Sequence, residues 1–221
     1  MKYFIVVSII LLSVHPFLSM NAQKSKTSQK EYHVTQNGNT IITSDPSNNL
    51  ILDSAFKDPR YQAANTAKDA DYLSDEEKKV YFCLNLARMN PKLFAETYLG
   101  RLRNSKNSYE SSLYKEMMNL SALPLLTPNR KLYESALCHA DEMGVRGLIG
   151  HQRYKCTRYF MGECCQYGFE GAYDIVIDLL VDDGITSLGH RKICFSASYH
   201  ELGVSIRPHK TYRVNTVMDF M

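Results

Sequence analysis

Apolar side chains recur at helical spacing through much of the chain and change to strand-like runs only toward its end. Val80, Cys83, Leu84 and Ala87 share one face at a spacing of about 3.6 residues. Ser74-Asp75-Glu76-Glu77 stands in front of them as a capping box, with Ser74 placed to accept from early amides and Glu77 to reach back. Asn90-Pro91 opens a second helix with Leu93, Phe94, Tyr98 and Leu99 on its apolar side, and Gly100 ends it. A third is expected over 108–120. Thr127-Pro128 is expected to open a fourth, striped by Leu132, Ala136, His139, Ala140 and Met143 and weakened by Gly144 and Gly147. Residues 172–183 read as a strong helix stopped by Gly184. The stretches 203–207 and 211–220, around Pro208-His209-Lys210, predict an antiparallel hairpin. Between 148 and 169 the pattern is irregular, which predicts loops and one or two short strands. Helices and strands mixed without a βαβ rhythm give an α+β class.

Upstream of Leu73 the pattern fades. Residues 1–22 carry Lys2, an apolar run, Pro16 and a small-residue end at Ala22, the layout of a signal peptide. The apolar run is shorter than the roughly 20 residues of a spanning helix, so no transmembrane span is expected once the leader is removed. Residues 23–72 are rich in Ser, Thr, Asn, Asp, Gln and Lys and predict a polar arm or linker that contributes little to folding. Residues 73–221 then form the folded domain. A length of 221 residues and a hydrophobic content of 44% suffice for one core of ordinary size. The formal net charge of +3 includes no basic stripe, which argues against nucleic acid as a partner.

Cys83, Cys138, Cys156, Cys164, Cys165 and Cys194 in an exported chain imply disulfides. Six cysteines allow fifteen pairings and the sequence does not choose among them. Bridges among the four between Cys156 and Cys194 are expected to hold irregular loops, with Cys83 and Cys138 able to cross-link two helices. Chelation of zinc by Cys164-Cys165 is disfavoured, because adjacent cysteines on a strand cannot easily hold one ion.

The chemistry lies in Gly150-His151, Gly162-Glu163, the acidic helix end Asp182-Asp183, and Gly189-His190-Arg191. Imidazole and carboxylate together suit both a borderline cation such as zinc and acid–base catalysis. On the helix beginning near Ala172, an apolar stripe of Ala172, Ile175, Val176, Leu179 and Leu180 continues at about 100° per residue onto Asp183. Asp183 is therefore the expected inward carboxylate, with Asp182 as the alternative. His139 on its apolar stripe reads as a core histidine rather than a metal ligand of the pair His139/Glu142. Arg191 reads equally as a carboxylate partner or as a loop anchor.

The order His, Gly-Glu, acidic helix end, Gly-His-Arg and β-hairpin resembles the CAP superfamily (cysteine-rich secretory proteins, antigen 5 and pathogenesis-related 1; the SCP domain). Leu84-Asn85-Leu86-Ala87-Arg88 and Asn90-Pro91 resemble the opening helix of its bacterial members. The resemblance covers 73–221 and implies an α–β–α sandwich around a small antiparallel sheet. It also implies a central cleft lined by His151, His190 and Glu163, with Asp183 or Asp182 in the fourth place. Cys164 stands where asparagine commonly follows Gly-Glu, and Leu180 where an aromatic is usual. The function implied is that of a secreted, extracytoplasmic protein whose cleft binds a divalent cation, zinc foremost, and a small ligand, lipid or protein partner. A hydrolase is the alternative. It would be metal-assisted through His151 and His190 with Glu163 as base, or a peptidase using a free cysteine.

Overall fold

The computed structural model describes residues 33–36, 39–42 and 54–221. The expected signal peptide lies outside the described residues, as does a little under half of the expected arm. Within the arm, β1 (His33–Gln36) and β2 (Asn39–Ile42) pair antiparallel, with His33 opposite Ile42 and Gln36 opposite Asn39.

The capping box forms as read. Ser74 Oγ accepts from the Glu77 amide at 3.3 Å, and Glu77 Oε2 accepts from the Ser74 amide at 2.8 Å, opening α1 (Asp75–Met89). Glu77 is buried, and its other oxygen accepts from the Ile206 amide at 2.9 Å, so the cap also ties α1 to the sheet. Asn90 caps α2 (Pro91–Tyr98) through the Leu93 amide, and Asn107 caps α3 (Ser108–Asn119).

Thr127-Pro128 does not open the next helix. It forms β3 (Thr127–Pro128), parallel to the strand beginning at Glu201, because the Thr127 amide is taken by the His200 carbonyl. Asn129 then caps α4 (Arg130–Arg146), whose last turn closes on Gly147 in the left-handed region at φ 68°.

β4 (Gly162–Tyr167), α5 (Ala172–Val181), α6 (Gly189–Cys194), β5 (Glu201–His209) and β6 (Arg213–Phe220) complete the chain. The strands order β3-β5-β6-β4, parallel between β3 and β5 and antiparallel elsewhere. The result is a mixed α/β fold around a small mixed sheet. The sheet divides its side chains by the two-residue strand period. Leu202, Val204, Met218, Phe220 and Cys164 join the main core with α1, α2, α3 and α5. Cys165 and Val217 pack with Ala136 and Ala140 of α4 on the opposite side.

The expected boundary at Leu73 needs correction within the described residues. Phe56, Tyr61, Ala64 and Ala67 are buried in the main core, and the Phe56 ring stacks on Tyr98 at 5.6 Å and meets Phe94 at 6.3 Å. A few large apolar side chains spaced irregularly on two short 3-10 turns, Ser54–Phe56 and Pro59–Ala64, fill a gap in the core without making a helical stripe. No helix among the described residues is long and apolar enough to cross a membrane.

Candidate functional site

The loop after α4 carries His151 and is tied down at several points. His139, fully buried on α4, donates Nε2–H to the Gly150 carbonyl at 3.0 Å, and the Gly150 amide donates to the Tyr167 hydroxyl at 2.8 Å. Glu142 accepts from the Tyr154 and Lys155 amides at 2.9 and 3.0 Å. Farther along, a Cys138–Cys156 disulfide bonds the loop back to α4. His139 and Glu142 thus brace the loop that presents His151.

This pairing corrects the expected cross-link of α1 to α4. Cys83 is buried in α1 as a free thiol, and Cys164, Cys165 and Cys194 are also free and buried. Burial pushes the Cys83, Cys164 and Cys165 thiols well above their ordinary range.

Each histidine meets one carboxylate. His151 Nδ1–H donates to Glu163 Oε1 at 2.8 Å, and His190 Nδ1–H donates to Asp182 Oδ1 at 2.8 Å. The two ring centroids lie 6.2 Å apart, with the planes tilted by 42°. His151 is half exposed and His190 mostly covered.

Asp182, not Asp183, occupies the inward place. α5 ends at Val181, and Asp182 turns into the left-handed region at φ 55°, so helical phase cannot be extrapolated past it. That turn directs the Asp182 carboxylate at α6, where it also accepts from the His190 amide at 2.9 Å. Asp183 instead accepts from Asn107 at the exposed surface, at 2.9 Å.

Arg191 resolves as an anchor. Its five N–H donors reach Leu180 O, Val181 O, Tyr109 O, Ser112 Oγ and Glu116 Oε2 at 2.6 to 3.2 Å. Two of these acceptors are last-turn carbonyls of α5, which the helix itself leaves unpaired. Asp182 and Arg191 together lock the start of α6 onto the end of α5 and so set the position of His190.

Two further residues complete the site and were not singled out from the sequence. Arg153 bonds Glu163 through Nη2 and pairs with Asp219 at 3.0 Å, while Ser135 Oγ donates to Asp219 Oδ2 at 2.6 Å. Asp219 had a legible signal, a carboxylate set between Met218 and Phe220 in the closing strand, and the fold places it directly opposite Glu163 in register. Arg153 had none, because it lies in an aperiodic loop.

The two carboxyls share one guanidinium and do not ionise alike. Desolvation opposes ionisation of Glu163, but hydrogen bonds from His151 and Arg153 outweigh it and hold this carboxyl below its usual value. Desolvation dominates at Asp219 despite Ser135 and Arg153, and pushes it up from 3.8 to about 7. The bond to Glu163, against the cost of burial, raises His151 above 6.5.

A raised carboxyl binds its proton more tightly in the folded state, so stability falls as pH rises from about 4 to about 7 while the unfolded chain ionises first. We expect Asp219→Asn to flatten that decline in urea-denaturation midpoints measured across this range. An unchanged slope would mean that Asp219 ionises normally.

Beside this network lies a cleft of about 440 Å³, lined by His151, Arg153, Phe160, Met161, Glu163 and Ile193 among others. Arg153 and Arg158 both stack on Phe160, at 4.6 Å each. A second, buried arrangement shares Glu163. His139, Glu163 and Cys165 place one ligand atom each within 4.8 Å of one another, a group able to hold a metal ion. Compared with known families and curated proteins, the chain matches no family model and no curated sequence.

Proposed function

We propose that this is an exported binding protein of the CAP type, with an α–β–α sandwich and a cleft that takes one divalent cation, zinc foremost, between His151 and His190. A small ligand or partner would bind beside it. The observation that carries this reading is the pair of imidazole–carboxylate bonds. Each carboxylate fixes Nδ1 as the protonated nitrogen and leaves Nε2 with its lone pair, the arrangement in which protein carboxylates orient metal-binding histidines. Rings 6.2 Å apart can share one ion at zinc–nitrogen distances of roughly 2.0–2.1 Å. The Cys138–Cys156 bridge is compatible with an extracytoplasmic location.

The buried group with Cys165 is the weaker metal site. Its histidine already donates Nε2–H to Gly150, and its thiol is held protonated by burial. The same burial disfavours a thiol peptidase, which needs a thiolate. A metal-assisted hydrolase would bind water on the cation that the two histidines hold. Glu163 is poorly suited as its base, because His151 and Arg153 both engage it as the ionised form.

Zinc titration by calorimetry near pH 7.5 tests the proposal. His151→Ala/His190→Ala should lose affinity by at least about a hundredfold, and Cys165→Ala should keep it. Equal affinity in the double variant and the wild type would sink the proposal, and loss only in Cys165→Ala would move the metal to the buried group. Because the Glu163 bond raises His151, protons should compete with zinc already above pH 6.5 and weaken binding as pH falls.

A further inference from the structure

Two thiols that play no part in the proposed metal site lie together beneath it. Cys164, next to Glu163 in β4, and Cys194, the last residue of α6, are both sealed from solvent. Cys164 Sγ lies against the first turn of α6, 3.8 Å from the carbonyl of His190, which is one helical turn before Cys194, and both cysteines are buried in the same core cluster. Strand alternation removes the nearest competitor. Cys164 joins the core with α5 and α6, whereas Cys165 points to the α4 side with Ala136, Ala140 and Val217.

We propose that Cys164 and Cys194 are joined by a second disulfide in the exported protein, a covalent clamp between β4 and α6 beneath Glu163 and His190. The bond forms by exchange with a disulfide oxidant, either a small disulfide or one carried by an oxidoreductase. One cysteine thiolate attacks an oxidant sulfur and expels the first thiolate. The second cysteine thiolate then attacks the mixed disulfide and expels the other. Two protons leave the cysteines and end on the two released thiols, so the pair is oxidised by two electrons and the oxidant disulfide is reduced by two. Because both sulfurs are buried once α6 has docked, the exchange belongs to folding, before that docking seals them.

The closed loop contains α5 and the Asp182–His190 pair, so the clamp fixes the helix that carries His190 against the strand that carries Glu163. Only its relevance to metal rests on the proposed function, and the bond itself can be tested in metal-free protein. The full chain is refolded with reduced and oxidised glutathione plus a chelator, denatured, alkylated without reductant, digested and mapped by mass spectrometry. Alkylation should fall on Cys83 and Cys165 alone, with a Cys164–Cys194 peptide beside the Cys138–Cys156 one. Alkylation of Cys164 and Cys194, or either of them bonded elsewhere, would overturn the pairing.

Hydrogen exchange of the same metal-free protein reads the clamp. Amides of 189–194 should exchange at least about tenfold faster in a Cys164→Ala/Cys194→Ala variant than in the oxidised wild type. Equal rates would overturn the clamping role. Zinc binding lost with the bond still mapped would instead count against the metal reading alone.

Discussion

Arg191→Leu is expected to destabilise the protein by on the order of 3–5 kcal/mol, measured by urea denaturation. The guanidinium is almost completely buried, and all five of its N–H groups are used. Leucine fills part of the volume but leaves the Leu180, Val181 and Tyr109 carbonyls buried without a donor, each a cost of about 1–3 kcal/mol where water cannot enter. The contribution of charge pairing is small by comparison. Glu116, the only carboxylate among the described residues that the Arg191 guanidinium reaches, is about two-fifths exposed, so Glu116→Gln should cost less than about 1 kcal/mol. A Glu116→Gln loss as large as that of Arg191→Leu would show that the ion pair, not the capping of α5, carries the interaction.

Gly203→Ala should be the more damaging of two single-methyl changes and prevent stable folding or cost more than about 3 kcal/mol. A Cβ at Gly203 would fall inside the van der Waals surface of the Leu132 carbonyl carbon and the Tyr133 amide nitrogen, both backbone atoms of the first turn of α4. Backbone cannot swing aside as a side chain can. Displacing α4 would also pull Ser135 from Asp219, and with it the Arg153 network that holds Glu163. Gly100→Ala, where an added methyl meets nothing within 4 Å, should stay within about 0.5 kcal/mol of wild type. Comparable thermal midpoints for the two variants would mean that α4 and β5 are not held as closely as described.

Local signals were legible wherever local chemistry decides the outcome. Ser74 with Glu77, and Asn90 with Pro91, place two helix starts because caps act within a single turn. The closing hairpin is found where it was expected, extended to Glu201–His209 and Arg213–Phe220. Non-local packing was not legible. Thr127-Pro128 carries a helix-start pattern, yet a strand that arrives some seventy residues later takes its amide. Phe56 and Tyr61 looked like scattered residues in a polar arm because Tyr61 packs on Phe56, whose other partners, Phe94 and Tyr98, lie on a helix far along the chain. In the site, His151, Glu163 and His190 stood out by their glycine-flanked settings. The choice between Asp182 and Asp183 turned on one residue's backbone conformation. Arg153 became visible only once the loop was folded.

Asp182 joins two requirements that pull in different directions. Its left-handed backbone ends α5, a task glycine performs with less strain, while its carboxylate orients His190. Glycine at this position would relieve the turn but strip the start of α6 of the acceptor for the His190 amide and imidazole, and so would loosen α6 and misdirect the ring together. Aspartate accepts the less comfortable turn and keeps both bonds to His190. Asparagine, which tolerates the same backbone and still accepts a hydrogen bond, marks the neutral midpoint between them. Which of the three side chains stands here in a related chain is thus a one-letter record of how firmly the His190 ring is aimed.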